Sequence, residues 1–270
     1  MTPHCYIVAR ALTGYAHAHL TPNKGIMMRN DLHEHKVDLA CALRWADRLG
    51  LSEGICNHFS LAVDESGETF LVNPQGLHWS EIQASDIVLC RHDGEVLEGK
   101  HKVEETAFFI HSRLHLKHPN AGAVLHTHMP YATSFTLLEN CRLEMVEQNA
   151  LRFHNRIAYD DDYGGVAFSY EEGDRITTAM QGKDIGFLAH HGVVVCGQDL
   201  PSAFDDLYYL ERACQVQALA RSQGLPFRKI PEAVVEETAR QIAEDNGVQR
   251  AGHFQAIKRT LEKESPEIRF

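Results

Sequence analysis

The chain has no excess of positive charge, no long apolar run and no regular spacing of its cysteines. Its formal net charge is −11 at pH 7 and it contains no basic cluster, which argues against a nucleic-acid partner. No apolar run approaches the roughly 18 residues of a membrane span. The first residues lack the continuous apolar core of a secretory signal peptide. We therefore expect a protein that binds neither nucleic acid nor membrane.

The seven cysteines are scattered, and no two of them form a Cys-x-x-Cys pair. An odd number without a framework spacing favours buried thiols in a reducing compartment, so a cytoplasmic location is expected. The chain also lacks internal repeats, low-complexity blocks and linkers. We predict one domain over residues 31–250, preceded by an arm at 1–30 and followed by a polar tail at 251–270.

Histidine, in contrast, is abundant, with 18 residues. The apolar run Ala123 to Leu125 predicts a buried strand, with His126 and His128 at its end and Pro130 stopping it. Because alternate side chains of a strand share a face, the two imidazoles point the same way. Two neutral imidazoles on one face suit a shared metal ion. The alternative is a pair of core histidines hydrogen-bonded to backbone.

A second histidine pair, His190 and His191, interrupts the strand-like run at residues 186–195. Adjacent strand residues face opposite ways, so we expect only one of this pair to join the first two histidines. Two such clusters at strand ends favour the metal-site interpretation over the core-histidine one.

Hydrophobic periodicity predicts alternating helices and strands. Helices are expected at about residues 31–49, 103–117, 133–138 and 171–181, then from Pro201, which suits a first helical turn and opens the longest helix, and at 231–246. Strands are expected in HFSLAV, ETFLVN, IVLCR and EVLEG, with a hairpin turn at Asp93-Gly94. The segments RLEMVEQ, RIAYDDDYGG and VAFSY are predicted to be strand and loop.

Six segments in a fixed order carry a resemblance to a known family. They are NHFSLAV, FLVNPQGLHWSEI, SDIVLCRHDGEVLEG, IHSRLHLKHPNAGAVLHTHMPYATS, IGFLAHHGVVVCG and YYLERACQVQA, and together they resemble the class II aldolase/adducin family over about residues 31–221. The resemblance implies an α/β fold, a three-layer α/β/α domain with a largely antiparallel central sheet. It also implies a divalent metal, Zn²⁺ first and Mn²⁺ or Fe²⁺ as alternatives, held by His126, His128 and His191.

The chain departs from the family's aldolases around the expected site. Their acid/base carboxylate corresponds to Ala107, which cannot transfer a proton, and their phosphate-binding serines correspond to Glu105 and Thr106. His58 stands where they carry a phosphate-binding asparagine or glycine. This pattern is similar to the adducin-like branch of the family, although the histidine triad of the enzymes is complete here.

Several further side chains are candidates for the site beside the metal. Glu104 and Glu105 lie at the start of the second predicted helix and are candidates for the missing acid/base. The alternative is a solvated first turn that the helix dipole favours. His58 is the third catalytic candidate, because histidine titrates near neutral pH. The substrate-binding candidates are Asn73 and Gly76, which match the family's substrate-binding loop, and His111, for which packing is the alternative.

Two functions remain open at this point. One is a metal-dependent enzyme that cleaves a carbon–carbon bond, by aldol cleavage or decarboxylation, in a small non-phosphorylated carbonyl or hydroxy-acid substrate; such a metal site is also compatible with oxygen chemistry. The other is an adducin-like binding or scaffold protein with a residual metal site. An open coordination position beside a titratable group favours the enzyme, and a fourth protein ligand favours the scaffold. The resemblance further implies a homo-oligomer, and a tetramer is expected.

Overall fold

The computed structural model describes residues 29–270, which form a central sheet between two layers of helices. The strands are β1 (His58–Ala62), β2 (Thr69–Val72), β3 (Val88–Arg91), β4 (Val96–Glu98), β5 (Ala123–Thr127), β6 (Ile157–Asp160), β7 (Ile185–Leu188) and β8 (Gly192–Gly197). The α-helices are α1 (Arg29–Arg48), α2 (Glu105–Lys117), α3 (Pro130–Thr136), α4 (Tyr170–Ala179), α5 (Leu200–Arg221) and α6 (Glu232–Glu264). The predicted arm at 1–30 lies, except for its last two residues, outside the described residues.

The strands form one sheet in the order β4-β3-β2-β1-β5-β8-β7-β6. Only the pair β6 and β7 is parallel, and the other neighbours are antiparallel. In the centre of the sheet, β1 pairs with β5 so that His58 lies opposite His126. The predicted α/β class with a largely antiparallel central sheet is therefore confirmed.

Alternation along the strands divides the buried side chains between two helical layers. Leu125 and Val195 belong to one core that also contains side chains of α1, α3, α5 and α6. Their neighbours Val124 and Val194 belong to a second core, with α2 and α4. Since strand side chains alternate between the faces, His126 lies on the same face as Val124, toward α2. The expected three-layer arrangement is thus present, and it aims one histidine of the triad at the α2 layer.

The last helix is longer than its sequence pattern suggests. It continues to Glu264, so the predicted helix end near residue 246 is wrong. Phe254, Ile257 and Leu261 recur at helical spacing and are buried in the core, but mostly polar residues surround them and conceal the pattern. α6, and not the helix beginning near Pro201, is the longest of the described helices. The domain limits themselves stay a prediction.

None of the helices within residues 29–270 is both long and apolar enough to cross a bilayer.

Candidate metal centre

Three histidines converge at the end of the sheet where β5 ends and β8 begins. His126 is in β5, His128 directly follows that strand, and His191 lies in the turn between β7 and β8. Their ring centroids are 5.1, 4.7 and 4.9 Å apart for the pairs His126–His128, His126–His191 and His128–His191. One possible ligand atom from each residue lies within 4.8 Å of the other two. Three imidazoles this close together form a group that could hold one metal ion.

The hydrogen bonds of two of these rings leave Nε2 available for a metal. Nδ1 of His126 donates to the Val193 carbonyl at 3.0 Å, and Nδ1 of His128 donates to the Glu53 carboxylate. Since these oxygens can only accept, the proton of each neutral ring is on Nδ1 and the lone pair is on Nε2. Nε2 of His128 is buried and has no hydrogen-bond partner among the described residues. A buried nitrogen without a partner is costly, so this donor set fits a cation such as Zn²⁺.

The surroundings keep His126 and His191 uncharged at neutral pH. Burial, followed by the neighbouring histidines, lowers the pKa of His126 well below its usual value. Burial and then His128 lower the pKa of His191 to about 4, although Glu172 and Glu53 oppose this shift. Metal ligation requires the neutral imidazole, and few protons compete for these rings at pH 7.

His190 does not belong to the group of candidate ligands. Its backbone is left-handed, with φ of 57°, and its N–H donates to the Thr136 carbonyl at 3.2 Å. Its ring lies 5.9 Å from the ring of Tyr163, at the wall of the cavity beside the triad. The two adjacent histidines lie in a turn and not in a strand, so strand alternation does not explain their separation. Only His191 nevertheless joins the other two, as expected.

The triad opens into a cavity of about 580 Å³, called here the metal-site cavity. Its polar lining residues include His58, Gln75 and Glu104 in addition to the triad. Its apolar lining residues are Ile55, Ile110, Val166, Ala167 and Phe168, together with Tyr163. None of the described residues that line the cavity is a lysine or an arginine.

Of the two glutamate candidates, the structure brings Glu104 to this cavity. Glu104 is the N-cap of α2, where its carboxylate accepts from the Ala107 N–H at 3.0 Å and from the Thr106 hydroxyl. Glu105 is exposed and does not line the cavity. The carboxylate of Glu104 lies 3.5 Å from Nε2 of His58, and both side chains line the cavity.

The charges of this pair are set by burial and by hydrogen bonds. Burial lowers the pKa of His58 to about 4, even though Glu104 acts in the opposite direction. Burial also opposes ionisation of Glu104, but the hydrogen bonds from Thr106 and Ala107, together with His58, lower its pKa overall. At pH 7 the pair is therefore an ionised carboxylate beside a neutral imidazole, a short distance from the triad.

The family model for the class II aldolase and adducin N-terminal domain matches residues 37–218, about two thirds of the chain. The chain belongs to the class II aldolase/adducin family.

Relatives of known name within the class II aldolase/adducin family include two from Streptomyces. The decarboxylase NovR of Streptomyces niveus is 32% identical over 215 residues, which are 77% of this chain and 79% of that protein. A 4-hydroxy-3-prenylphenylpyruvate oxygenase/4-hydroxy-3-prenylbenzoate synthase of Streptomyces roseochromogenus is 31% identical over 77% of both chains. A solved aldolase II superfamily protein from Pseudomonas syringae superposes with a TM-score of 0.81 at 30% identity, covering 90% of this chain and 98% of that one.

Three residues of this class II aldolase/adducin domain were predicted to bind substrate. One of them lines the metal-site cavity and two do not. Gly76, with φ of 86°, lines the metal-site cavity. Asn73 is buried and holds the start of β1, since it accepts from the Phe59 N–H at 2.9 Å and donates to the Asn57 carbonyl at 3.3 Å. His111 is completely buried, with Nδ1 2.6 Å from the Ser60 hydroxyl. Neither Asn73 nor His111 lines the cavity, and their substrate-binding roles stay predictions.

Two residues that contact the triad were not predicted from the sequence. Glu53 binds Nδ1 of His128, and Asn57 accepts from the His128 backbone N–H at 3.2 Å. Both lie in the turn before β1, more than 70 positions from His128 along the chain. A polar turn before a strand is a common pattern, so only the pairing of β1 with β5 reveals this contact.

Proposed function

We propose that this member of the class II aldolase/adducin family is a metal-dependent lyase that cleaves a carbon–carbon bond, by aldol cleavage or decarboxylation, in a small non-phosphorylated substrate. One observation carries the proposal. The three-histidine group has no fourth histidine, cysteine or carboxylate ligand among the described residues, and it opens into a cavity that also contains His58 and Glu104. Three protein ligands are typical of catalytic sites, whereas structural sites are usually closed by four.

His126, His128 and His191 would hold the metal, with Zn²⁺ preferred and Mn²⁺ or Fe²⁺ as alternatives. When bound, a divalent ion supplies a Lewis acid for a carbonyl or carboxylate oxygen of the substrate. The depressed pKa values of His126 and His191 support this role, because they keep the nitrogen lone pairs free of protons at pH 7.

The pair formed by His58 and Glu104 would manage the proton of the reaction. When the carbon–carbon bond breaks, its electron pair stays on the substrate carbon, and the other fragment leaves as carbon dioxide from a carboxylate or as an aldehyde whose hydroxyl proton passes to His58. That carbon then needs one proton. His58 Nε2 lies 3.5 Å from the Glu104 carboxylate, so a proton taken up at Nε2, from the substrate or from solvent, is stabilised by a negative charge until it is delivered.

The lining of the cavity supports a substrate that carries an apolar group and no phosphate. A phosphate dianion would meet the carboxylate of Glu104, and no described lining residue offers a compensating lysine or arginine. Ile55, Ile110, Val166 and Phe168 instead offer apolar surface in the cavity, against which an aryl or alkyl group would lose its water. The relatives named as a decarboxylase and as an enzyme of a prenylated phenylpyruvate support a carboxylated substrate of this kind.

The adducin-like alternative, a scaffold with a residual metal site, is less well supported. A structural metal site would need a fourth ligand, and the described residues offer none. The cavity of about 580 Å³ also has the volume of a small-molecule site, which a scaffold does not require.

We also propose a homo-oligomer, with a tetramer as the expected form. Tyr163, Val166 and Phe168, at the metal-site cavity, are more than half exposed in the single chain. A neighbouring subunit would remove this apolar surface from water. Light scattering should give about four times the chain mass of 30.4 kDa. A mass equal to that of the single chain would refute the oligomer.

The function is tested by metal analysis followed by a matched substrate panel. The protein is loaded with Zn²⁺, Mn²⁺ or Fe²⁺ and assayed for carbon dioxide and aldehyde with an aryl 2-oxo acid, with pyruvate and with fuculose-phosphate. We expect turnover of the aryl acid to exceed that of pyruvate, and no turnover of the sugar phosphate. Turnover of fuculose-phosphate at ordinary enzyme rates would contradict the substrate assignment. Consumption of oxygen with iron alone would replace the lyase by an oxygenase, and a protein that binds no metal would refute the proposal.

A further inference from the structure

Glu53 contacts the metal centre without belonging to its three candidate ligands. Its carboxylate accepts from Nδ1 of His128, although the Glu53 side chain is 62% exposed. A carboxylate that holds Nδ1–H excludes the tautomer protonated at Nε2, the nitrogen that lies buried without a partner. The exposed glutamate therefore decides which nitrogen of a half-buried ring is available to a cation.

The turn that carries Glu53 is built to hold this contact. The Cys56 N–H donates to the Glu53 carbonyl at 2.9 Å and closes the turn, in which Gly54 has φ of 59°. Asn57, with φ of 73°, ends the turn and accepts from the His128 backbone N–H at 3.2 Å. Asparagine is one of the few residues that adopt such a φ without glycine's freedom. The same five-residue turn thus fixes both the backbone and the ring of His128.

The charge of Glu53 distinguishes His128 from His126. Nδ1 of His126 is held by the neutral carbonyl of Val193, whereas Nδ1 of His128 is held by an anion. A carboxylate that accepts from Nδ1 makes the imidazole a stronger electron-pair donor to a metal at Nε2 than a backbone carbonyl does. The negative charge of Glu53 also acts on His191, the third histidine of the group. A divalent cation bound by three neutral rings would therefore find one compensating charge on this side of the site.

We propose that Glu53 is a positioning residue, which fixes His128 as an Nε2 ligand and raises the affinity of the triad for its metal. This inference rests on the metal site of the proposed function but not on the reaction. Carboxylates that orient a ligating histidine typically contribute about 10–100-fold in metal affinity.

The test compares Zn²⁺ affinity in four metal-free proteins by competition with a chelator at pH 7. They are the wild type, Glu53→Ala, Glu53→Gln and the control Glu65→Gln, which removes one negative charge from the exposed turn between β1 and β2. We expect Glu53→Ala to weaken binding by about 10–100-fold. Glu53→Gln retains an acceptor for Nδ1 but not the charge, so a smaller loss is expected. Glu65→Gln should bind as the wild type does.

Thermal unfolding of the same metal-free proteins separates positioning from folding. We expect melting temperatures equal to the wild type, because the Glu53 side chain is mostly exposed. A Glu53→Ala variant that binds Zn²⁺ with the affinity of the wild type would overturn the inference. So would a combined result in which metal-free Glu53→Ala melts at a lower temperature and Glu53→Gln binds Zn²⁺ as the wild type does. If Glu53→Ala does not fold, the Zn²⁺ affinities of Glu53→Gln and Glu65→Gln are compared instead. Equal affinities of these two variants would overturn the inference. A wild type that binds no Zn²⁺ would instead refute the metal centre itself.

Discussion

Two cavities of nearly equal volume lie at opposite ends of the central sheet. The metal-site cavity, of about 580 Å³, lies where β5 ends and β8 begins. The second, called here the arginine cavity, has about 590 Å³ and lies where β8 ends and β7 begins. It is lined by Arg156, Arg250, Asp184 and Asp206, among others. Both contain buried polar groups, and they differ in how those groups are satisfied.

The polar groups of the arginine cavity largely satisfy one another. Arg156 bonds to Asp184 at 2.8 Å and to Asp206 at 2.6 Å, and Arg250 bonds to Asp206 at 2.8 Å. Burial opposes the charge of Arg156, but the two aspartates raise its pKa overall. The metal-site cavity holds imidazole rings instead, and the buried Nε2 of His128 has no partner among the described residues. Nε of Arg250 is also buried without a hydrogen bond, but it can only donate and lies 3.9 Å from the Asp205 carboxylate, whereas Nε2 of His128 offers a lone pair to a cation.

The largest expected effect is the loss of the metal in His126→Ala. This change removes one of the three candidate ligands and leaves only two imidazoles to hold the metal. We expect no metal after dialysis, no detectable lyase activity, and no rise in melting temperature when Zn²⁺ is added, because ligand binding stabilises only a folded state that binds. Elemental analysis measures the first of these. Full metal occupancy in the variant would show that the triad is not the site.

A large catalytic effect is expected for Glu104→Gln. Glutamine still accepts from the Ala107 N–H and keeps the helix cap, but it cannot stabilise a proton on His58. We expect kcat to fall by about 10²–10⁴-fold, the usual contribution of a positioned acid or base, with the metal retained. Glu105→Gln is the matched control, since its side chain is exposed and outside the cavity. Equal kcat values for the two variants would remove Glu104 from the mechanism.

At the other end of the sheet, Asp206→Asn should destabilise the protein without affecting the metal. Asp206 is buried and pairs with two arginines, which the change would leave partly uncompensated. Breaking a buried ion pair from one side typically costs about 3–5 kcal/mol. Denaturation in urea measures the loss, and elemental analysis should give the wild-type metal content. Release of the metal would mean that the two ends of the sheet are coupled.

Lowering the pH should reduce the free energy of unfolding of the metal-free protein, because its buried histidines are protonated more readily in the unfolded chain. Burial lowers the pKa of His115 to about 4, although the Ala121 carbonyl opposes this. The unfolded chain takes up this proton near pH 6.5, so the stabilisation is complete above about 6.5 and is lost as the pH falls toward 4. His115 alone should account for about 3 kcal/mol. Urea denaturation from pH 7 to 4.5 tests this, and a free energy of unfolding that does not change would contradict it.

The smallest effect on the metal is expected for His190→Ala. This residue neighbours His191 but lies outside the ligand group, with its ring beside Tyr163. We expect an unchanged metal content by elemental analysis. A loss equal to that of His126→Ala would mean that His190 and not His191 is the ligand.

Some features of the site and the fold could be predicted from the sequence, and others could not. The common face of His126 and His128 follows from the two-residue period of a strand, and the family resemblance supplied His191. The choice of Glu104 over Glu105 did not follow, because it depends on where the cap of α2 meets the cavity. Glu53 was missed because its contact with His128 arises only when β1 pairs with β5. The burial of α6 was missed because three apolar positions lie among many polar ones.

The pairing that places His58 opposite His126 has a consequence for how this chain tolerates change. Neighbouring residues of β1 serve different purposes, since Phe59 and Leu61 fill the core while His58 and Ser60 lie on the α2 face. A deletion of one residue within β1 would exchange these two sets. The histidine would then point into the hydrophobic core and the phenylalanine toward the histidine triad. An insertion in the exposed turn between β1 and β2 would leave the register intact. The register of β1 therefore determines both the packing of Phe59 and Leu61 in the core and the position of His58 opposite His126.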